Sequence, residues 1–563
     1  MKNGMKELKP KLFSVMKNYT RDQLVKDIIS GIIVAIIALP LSIALAIASG
    51  VGPERGLYTA IIAGFCISFF GGSRVQIGGP TAAFVVIIYG IIGEYGIDGL
   101  IVATIMAGII MVIFGICHAG NLIKFIPYTI TTGFTAGIAV GIAVGQLKDF
   151  MGINMGALPA DFIDKVAAIF KNIGRLNITA FAIGILALLI NIFWPLLMNK
   201  LPEKLKYVKI IPGSLVCIIV TTVIVKCFGL HVNTIGDLYE VSSKLPVLTI
   251  PNVSFSLISK LISPAFTIAI LASIESLLSA VVADGMIGSK HRSNAELVGQ
   301  GIGNIMSGLF GGIPATGAIA RTAANIKNGG RTPVAGMVHS ITLLVILVVL
   351  MPYASWIPMP ALAAILIMVA YNMSGIKNCI RLCKKAPKSD IIVFVLTFAL
   401  TVIFDLVVAI EVSMIVAAAL FMKRMADTTD IKGWKYVDED EENDPDNIGL
   451  KIVPKGVAVF EITGPLFFGM TDKIMNIISD MNDKVIVLRM RSVPAIDASA
   501  LHAFYDIQDK CKRRGTRIVF SHVNEQPMHM MQKAKFDEEI GTENFCENID
   551  EALLRAKRIV EEE

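Results

Sequence analysis

Charged side chains are scarce in this chain. Only 17% of its 563 residues are Asp, Glu, Lys or Arg, against about 25% in an ordinary soluble protein. The net charge is +6 and no basic block concentrates it, so no nucleic-acid partner is expected. The 8 cysteines are scattered. They have no C-x-x-C or Cys/His spacing, so neither a metal site nor a disulfide framework is predicted.

Catalytic motifs are also missing from the chain. It contains no nucleophile elbow, phosphate-binding glycine loop or metalloprotease motif. No combination of nucleophile, base and oxyanion donors can be recognised in it either. We therefore predict that the protein is not an enzyme.

Hydrophobic residues, at 54%, dominate the composition. We predict a polar N-terminal segment over residues 1–27, a transmembrane transport domain over 28–422, an acidic linker over 423–450 and a soluble domain over 451–563. Lys and Arg collect in the loops on one side of the predicted segments. This bias predicts a multi-pass protein of the inner (plasma) membrane with both termini in the cytoplasm. About fourteen segments are expected, centred near residues 38, 64, 85, 107, 140, 187, 217, 273, 303, 321, 343, 369, 397 and 415.

The last domain alternates strand and helix patterns. Patterns typical of buried strands lie at residues 457–462, 485–490 and 517–520. Patterns typical of helices lie at residues 471–481, 499–513 and 549–560. This alternation predicts a small α/β domain.

Two hydrophobic stretches are broken by glycine and proline, one in each half of the transport domain. They are 78–84, GGPTAAF, and 311–318, GGIPATGA. A membrane tolerates irregular backbone only where protein covers it or where it lines a cavity. Breaks at matching places in two halves therefore point to the substrate site of a transporter. Half-helices that restart at the breaks direct partly positive amide ends to this site, which favours an anion.

Two ionisable residues lie within predicted membrane segments. A carboxylate at mid-span costs at least about 2.5 kcal/mol and faces a cavity or a partner. Because burial favours the protonated form of a carboxyl group, Glu275 is predicted to be the coupling-ion site, with Ser279 one turn further on the same face. A buried hydrogen-bond network is the alternative. Arg321 is predicted to attract the anion, and the alternatives are a pair with Glu275 or extension to the membrane surface.

These stretches resemble those of bacterial SulP-type anion transporters, the family that also includes prestin. The resemblance is carried by residues 38–53, 72–81, 272–284 and 310–325, and residues 493–503 are similar to the signature of STAS domains. It implies an α-helical, uracil-permease-like fold of seven plus seven inverted segments with two half-helices, followed by a cytosolic STAS-like α/β domain. It also implies a homodimer in which a core domain moves against a gate domain like an elevator.

The resemblance places the anion between the half-helices that begin near Pro80 and Thr316. It makes Glu275 a proton or sodium site and Arg321 the positive residue of the tenth segment. The predicted substrate-binding residues are Gln76, Pro80, Thr81, Ala82, Thr316, Gly317, Ala318 and Arg321.

The chain departs from its apparent relatives at two functional positions. Many of them carry Glu or Gln directly after the proline of the first segment, where this chain has Leu41, so no proton role is expected there. In STAS domains that are phosphorylated, Ser or Thr directly follows an aspartate. Here Asp497 is followed by Ala498, and Ser499 comes one position later. The domain is therefore expected to support assembly, or to bind a cytosolic protein, rather than to be phosphorylated.

The predicted function is proton-coupled secondary transport of a small anion of the sulfate, bicarbonate or C4-dicarboxylate class. No cofactor is expected beyond a proton or Na⁺ as the coupling ion. Ile319 stands where sodium-coupled relatives offer a hydroxyl group, which favours the proton. A sodium symporter, an uncoupled exchanger or channel, and a membrane-tethered sensor that signals through the STAS-like domain stay open as alternatives. The expected partners are the anion, the lipid bilayer, a second copy and a cytosolic protein.

Overall fold

The structure is a computed structural model of the chain. It describes residues 8–121, 127–156, 158–159, 161–200, 211–251, 254–404, 406–428, 430–434, 451–467 and 483–562. Two compact units are present, Met1–Met414 and Ile415–Glu563. The boundaries predicted for the N-terminal segment, the transport domain, the linker and the STAS-like domain stay predictions.

Helices build the first unit. In the first half of the chain they are α1 (Lys11–Val15), α2 (Arg21–Ala48), α3 (Pro53–Phe70), α4 (Val85–Ile116), α5 (Tyr128–Met151), α6 (Phe162–Lys171), α7 (Ile178–Lys200), α8 (Gly213–Cys227) and α9 (Ile235–Leu238). They continue as α10 (Phe255–Ile287), α11 (Ser293–Leu309), α12 (Ile319–Lys327), α13 (Val334–Ala354), α14 (Met359–Ser374), α15 (Ile376–Lys385), α16 (Lys388–Ile403) and α17 (Leu406–Thr428). The last of these helices crosses into the second unit.

Every predicted segment centre falls inside one of these helices. The centres near 85 and 107 share α4, whose helical backbone is interrupted at Gly96 by a φ of 66°. In the described part of the chain, seven helices are long and apolar enough to cross a membrane. Helix α12 has 9 residues, against roughly 20 for a full span. The polytopic helical fold and its short half-helix are thus confirmed.

The two predicted breaks meet as a pair of short strands. Strand β1 (Gly78–Pro80) precedes α4, and strand β2 (Ala315–Gly317) precedes α12. They run antiparallel, with Gly79 opposite Thr316. The backbone groups of each break, which have no partners within a helix, thereby form hydrogen bonds with the other break. Within a membrane such groups have no water to bind and need partners in the protein. The sequence predicts the breaks but not their pairing.

Small residues bring the helices around the breaks close together. Gly108 of α4 and Gly301 of α11 face each other: a Cβ on Gly108 would lie 2.6 Å from the Gly301 carbonyl oxygen, and one on Gly301 would lie 2.5 Å from that of Gly108. Neither position tolerates a larger residue without a shift of backbone. Close approach through glycine is a usual way for helices to associate in membranes, and here it joins a helix that follows one break to a helix that precedes the other.

The second unit contains a five-stranded sheet. Its strands are β3 (Asp430–Trp434), β4 (Val457–Thr463), β5 (Val485–Ser492), β6 (Arg517–Ser521) and β7 (Phe545–Cys546), and they lie side by side in that order. Strand β3 is antiparallel to β4, and the other neighbours are parallel. Besides the end of α17, the helices that the structure describes in this unit are α18 (Ala498–Arg514), α19 (Glu525–Lys533), α20 (Phe536–Ile540) and α21 (Ile549–Glu562).

Alternating side chains bury both faces of this sheet. Val459 and Val487 pack in one hydrophobic cluster with residues of α21. Phe460 and Leu488 pack in a second cluster with residues of α18 and α20. Successive side chains of a strand point to opposite faces, so these continuous apolar strands require cover on both sides. The three strands and two of the helices predicted here are confirmed, while the third predicted helix, 471–481, lies outside the described residues.

Part of the range predicted as the linker, 423–450, is helix and strand in the structure. Helix α17 continues to Thr428, and Asp430–Trp434 forms an edge strand of the sheet. An edge strand pairs on only one side and needs no strong hydrophobic pattern, which is why its sequence gave no signal. Residues 435–450, which hold the acidic run, lie outside the described residues.

Candidate functional site

A carboxylate and a hydroxyl group meet at the paired breaks. Thr316, in the middle of β2, donates a hydrogen bond of 3.0 Å from Oγ1 to Oε2 of Glu275 on α10. Thr81, directly after β1, places a second hydroxyl group near the Glu275 carboxyl group. Glu275 keeps some accessible surface, whereas Thr316 is fully buried. Both breaks therefore place a threonine on the same carboxyl group.

Ser276, the next residue of α10, fixes the strands to this helix. Its hydroxyl oxygen accepts a bond of 3.0 Å from the Gly317 amide, and its carbonyl oxygen accepts one of 3.1 Å from Nε2 of Gln76. An alanine Cβ at position 317 would collide with the Gln76 side chain. The predicted residues Gln76 and Gly317 thus hold the backbone of the site in place.

Arg321 lies in the first turn of α12, with only 1% of its surface exposed. Its Nη2 donates to the Pro80 carbonyl oxygen at 3.2 Å and to the Ser42 hydroxyl at 3.4 Å. Its Nε and Nη1 are buried with no hydrogen-bond partner in the described structure. No ion pair joins Arg321 to Glu275 there either, so the predicted alternative of a direct pair is not what these residues form.

A buried guanidinium group with open donors is an unusual arrangement. A charge taken out of water without a partner is costly, and an arginine can bind an oxyanion through two parallel hydrogen bonds. The first amides of α12 have no partners within their helix, and they carry the positive end of its dipole. Positive potential therefore collects at the start of α12, next to β1.

The remaining predicted residues divide by exposure. Pro80 and Ala82 are buried, and Thr81 and Ala318 are half-buried. The amide of Ala318 donates to the Ile77 carbonyl oxygen at 2.9 Å. Thr81 and Ala318 thus lie where the two breaks border accessible space, and their contact with a substrate stays a prediction.

Ser279 lies one turn beyond Glu275 on α10. Its hydroxyl group lies 3.5 Å from that of Thr322 on α12, and no hydrogen bond joins it to Glu275 among the described residues. Thr322 in turn accepts a bond of 3.1 Å from the Ile77 amide. Ser279 thus supports the backbone beside the strands, and its role as a coupling-ion ligand stays a prediction.

Two further buried carboxylates, which the sequence analysis missed, secure the loops beside the breaks. Glu296 on α11 accepts bonds of 2.8 and 2.9 Å from the amides of Gly72 and Ser73, shortly before β1. Asp27 on α2 accepts bonds of 2.8 Å from the Arg331 amide and 2.6 Å from the Thr332 hydroxyl, after α12. Glu296 lies in the first turn of its helix, where an acidic residue normally indicates only helix capping. Asp27 belongs to the polar start of α2, and its partners Arg331 and Thr332 are distant in sequence.

No cluster of three or more His, Cys, Asp or Glu side chains suited to a metal ion occurs in the part of the chain that the structure describes. The one carboxyl group at the breaks, Glu275, has neutral hydroxyl partners. The site thus combines the carboxyl group of Glu275, the guanidinium group of Arg321 and two backbone breaks, each of which supplies one threonine.

Known proteins share this arrangement of sequence and fold. A profile described as the sulfate permease family matches residues 24–397, and one described as the STAS domain matches residues 451–552. The putative sulfate transporter YvdB of Bacillus subtilis is 39% identical over 95% of this chain and 98% of its own length. The bicarbonate transporter BicA of a Picosynechococcus species is 31% identical over 94% of each chain.

Solved structures agree on the fold. The murine Slc26a9 anion transporter superposes with a TM-score of 0.87 at 17% identity, covering 99% of this chain and 95% of that one. The transmembrane domain of a cyanobacterial BicA gives 0.61 at 29% identity, covering 71% and 98%. The relatives are named as transporters, which confirms the prediction that the chain is not an enzyme. The chain belongs to the sulfate permease family and ends in a STAS domain.

Proposed function

We propose that this protein carries a small oxyanion, of the sulfate or bicarbonate class, across the membrane together with a proton. The observation that carries the proposal is the meeting of Glu275 with threonines of both breaks, beside the open donors of Arg321. Two relatives carry the names of a sulfate transporter and a bicarbonate transporter. Their names supply the substrate class, and the site supplies a chemical reason for it.

The anion binds between β1 and β2 at the start of α12. Arg321 contributes its Nε and Nη1 donors, and the first turn of α12 contributes amides. Thr81 and Ala318 lie at the accessible edge of this site. A sulfate or bicarbonate ion offers several acceptor oxygens to a single arginine and a few amides, whereas a C4-dicarboxylate needs a second cationic group at its far end. Arg55, the other cation at the breaks, donates from Nη1 to the Gly311 carbonyl oxygen at 2.8 Å, before β2, so Arg321 is the cation with open donors at the start of α12.

Glu275 carries the proton. Its partners at the breaks are hydroxyl groups, so gain of a proton changes the charge there by one unit without breaking an ion pair. Burial favours the uncharged form of a carboxyl group, and a neutral Glu275 removes a repulsion from the incoming anion. Since Thr316 belongs to the strand that frames the anion site, binding of the anion and protonation of Glu275 support each other.

The wider parts of the proposal concern motion and assembly. The helices around the breaks form a core that moves as a unit against a gate domain, in a homodimer in the plasma membrane with both termini in the cytoplasm. The paired strands and the close glycine contacts support such a unit, because they tie the two halves of the core together. The STAS domain supports assembly or binds a cytosolic protein.

Uptake into proteoliposomes tests the function. Labelled sulfate, bicarbonate and succinate are supplied with an inward proton gradient, with an inward sodium gradient, and with neither. We expect accumulation of sulfate or bicarbonate above equilibrium with the proton gradient alone. Accumulation that follows sodium would replace the proton by Na⁺, and flux that ignores both gradients would indicate an exchanger or channel. Absence of flux from folded protein would favour the sensor. A chain truncated after Thr428, which lacks the STAS domain, then tests this alternative, because a sensor loses its output on truncation whereas a transporter keeps its substrate-binding core.

A further inference from the structure

A polar cavity of about 400 Å³ lies at the opposite end of α12 from Arg321. It is lined by α1, by the residues before α2 and the first turn of that helix, and by Arg74 and Arg331. Arg331 comes shortly after the C-terminal end of α12. The cavity therefore borders both the N-terminal segment and the core, and none of its residues belongs to the anion site proposed above.

Three cations face this cavity: Lys11, Arg74 and Arg331. None of them forms an ion pair with a carboxylate in the described structure. Nε of Arg74 is buried and has no hydrogen-bond partner there. The side chains of Lys11 and Arg331 donate to carbonyl oxygens, Lys11 at 2.7 Å to that of Lys290 and Arg331 at 2.8 Å to those of Ile326 and Gly330. A concentration of unpaired cations in a polar cavity is a usual feature of an oxyanion site.

Neighbouring carboxylates offset this charge only in part. Asp27, which does not line the cavity, accepts bonds from the neutral side chains of Tyr19, Gln23 and Thr332 and from the backbone amide of Arg331. Asp284 is paired with His291 at 2.7 Å. Burial lowers the pKa of Lys11, and repulsion from Arg292 and then Arg74 lowers it further, whereas attraction to Asp284 partly offsets the decrease. Positive charge is in excess at this cavity.

Two hydroxyl groups in the wall have protons left to donate. Oγ of Ser14 accepts a bond of 3.0 Å from Nη2 of Arg292, and Oγ1 of Thr20 accepts one of 3.3 Å from the Gln23 amide. A hydroxyl group that accepts one bond can still donate its own proton. Both hydroxyls therefore add neutral donors to the cations, a combination that suits an anion with several oxygens.

We propose that this cavity binds a phosphate group, as a second anion site of the molecule. Three cations and two hydroxyl donors match the several acceptor oxygens of phosphate, and basic pockets near the ends of membrane helices are places where lipid headgroups bind. Phe13, Met16 and Leu24 beside the cavity are exposed apolar side chains, as expected next to acyl chains. The phosphate is thus either that of a lipid headgroup or free in solution, and the experiment distinguishes the two.

The test uses the full-length protein in detergent, stripped of lipid. In one arm, native mass spectrometry counts the molecules of phosphatidylglycerol retained, with phosphatidylcholine as the comparison lipid. In the other arm, the melting temperature is followed as inorganic phosphate is added. Both arms compare the wild type with Lys11→Gln and Arg331→Gln. The control is Lys17→Gln, because Lys17 is an exposed cation of the same segment that does not line the cavity.

We expect one phosphate-bearing ligand to be retained by the wild type and by Lys17→Gln, with about tenfold weaker binding in each cavity variant. Binding of phosphatidylglycerol alone identifies a headgroup, and a phosphate-dependent rise in melting temperature that the cavity variants lose identifies a soluble ligand. Equal loss in Lys17→Gln would overturn the proposal, since it would reduce the effect to general surface charge. So would the absence of binding in both arms, or binding that Lys11→Gln leaves intact in folded protein.

Discussion

Thr316 donates its hydroxyl proton to Glu275 across 3.0 Å, from the strand of one break to an unbroken helix. Thr81 of the other break reaches the same carboxyl group. Because β1 and β2 are paired residue by residue, movement of either strand alters the surroundings of that carboxyl group. The geometry links the backbone site that we propose for the anion to the carboxyl group that we propose as the proton carrier.

Glu275→Gln tests the proton carrier. Glutamine keeps the shape and still accepts a bond from Thr316, but it has no titratable proton. We expect sulfate or bicarbonate uptake into proteoliposomes to lose its response to a proton gradient, so that accumulation falls to the equilibrium value while anion binding persists. Glu411→Gln, which removes an exposed carboxylate of α17, serves as the control. Accumulation at the wild-type level in Glu275→Gln would remove this residue from the coupling mechanism.

Arg321→Lys and Arg321→Ala test the anion site. Lysine retains the charge but not the planar fork of donors, whereas alanine removes both. Hydrogen bonds to charged groups contribute about 1.5–3 kcal/mol, so we expect at least about tenfold weaker binding in the alanine variant and a smaller loss in the lysine variant. The measurement is the rise in melting temperature with added sulfate. The same affinity in all three proteins would exclude Arg321 from contact with the anion.

The sequence predicts the chemistry of this site better than its connections. Glycine, proline and a following threonine mark each break because membrane depth leaves few other uses for such residues. An acid and an arginine in apolar helices are conspicuous for the same reason. These signals are local, and they sufficed to find Glu275, Thr81, Thr316 and Arg321.

Contacts between distant parts of the chain have no such signal. Three such contacts join residues far apart in sequence. They are the pairing of Gly79 with Thr316, the hydrogen bond from the Gly317 amide to the Ser276 hydroxyl, and the hydrogen bond from the Gly72 amide to the Glu296 carboxylate. Ser276 and Glu296 are ordinary helix residues until the helices pack. Only the three-dimensional arrangement distinguishes them from residues that face solvent or cap a helix.

Gly79→Ala tests whether the close approach of β1 to Arg321 matters. A Cβ at this position would collide with Nη1 of Arg321, so the guanidinium group has to move. We expect anion affinity to fall about as far as in Arg321→Ala. The matched control is Gly90→Ala in α4, where the added methyl group meets open space and a helix favours alanine over glycine. If Gly79→Ala binds sulfate as the wild type does, the anion does not depend on this position of Arg321.

Glu296→Gln separates support of the site from contact with the anion. The Glu296 carboxylate accepts two backbone amides of the loop before β1 and the side-chain amide of Gln300 at 2.9 Å. A glutamine presents an NH₂ group to one of these donors, and a lost charged hydrogen bond costs about 1.5–3 kcal/mol. We therefore expect a lower melting temperature without anion, whereas Glu94→Gln, at an exposed position, leaves it unchanged. Because Glu296 positions the loop and does not bind substrate, saturating sulfate still raises the melting temperature of Glu296→Gln. Loss of that rise in folded protein would instead assign Glu296 to the anion site itself.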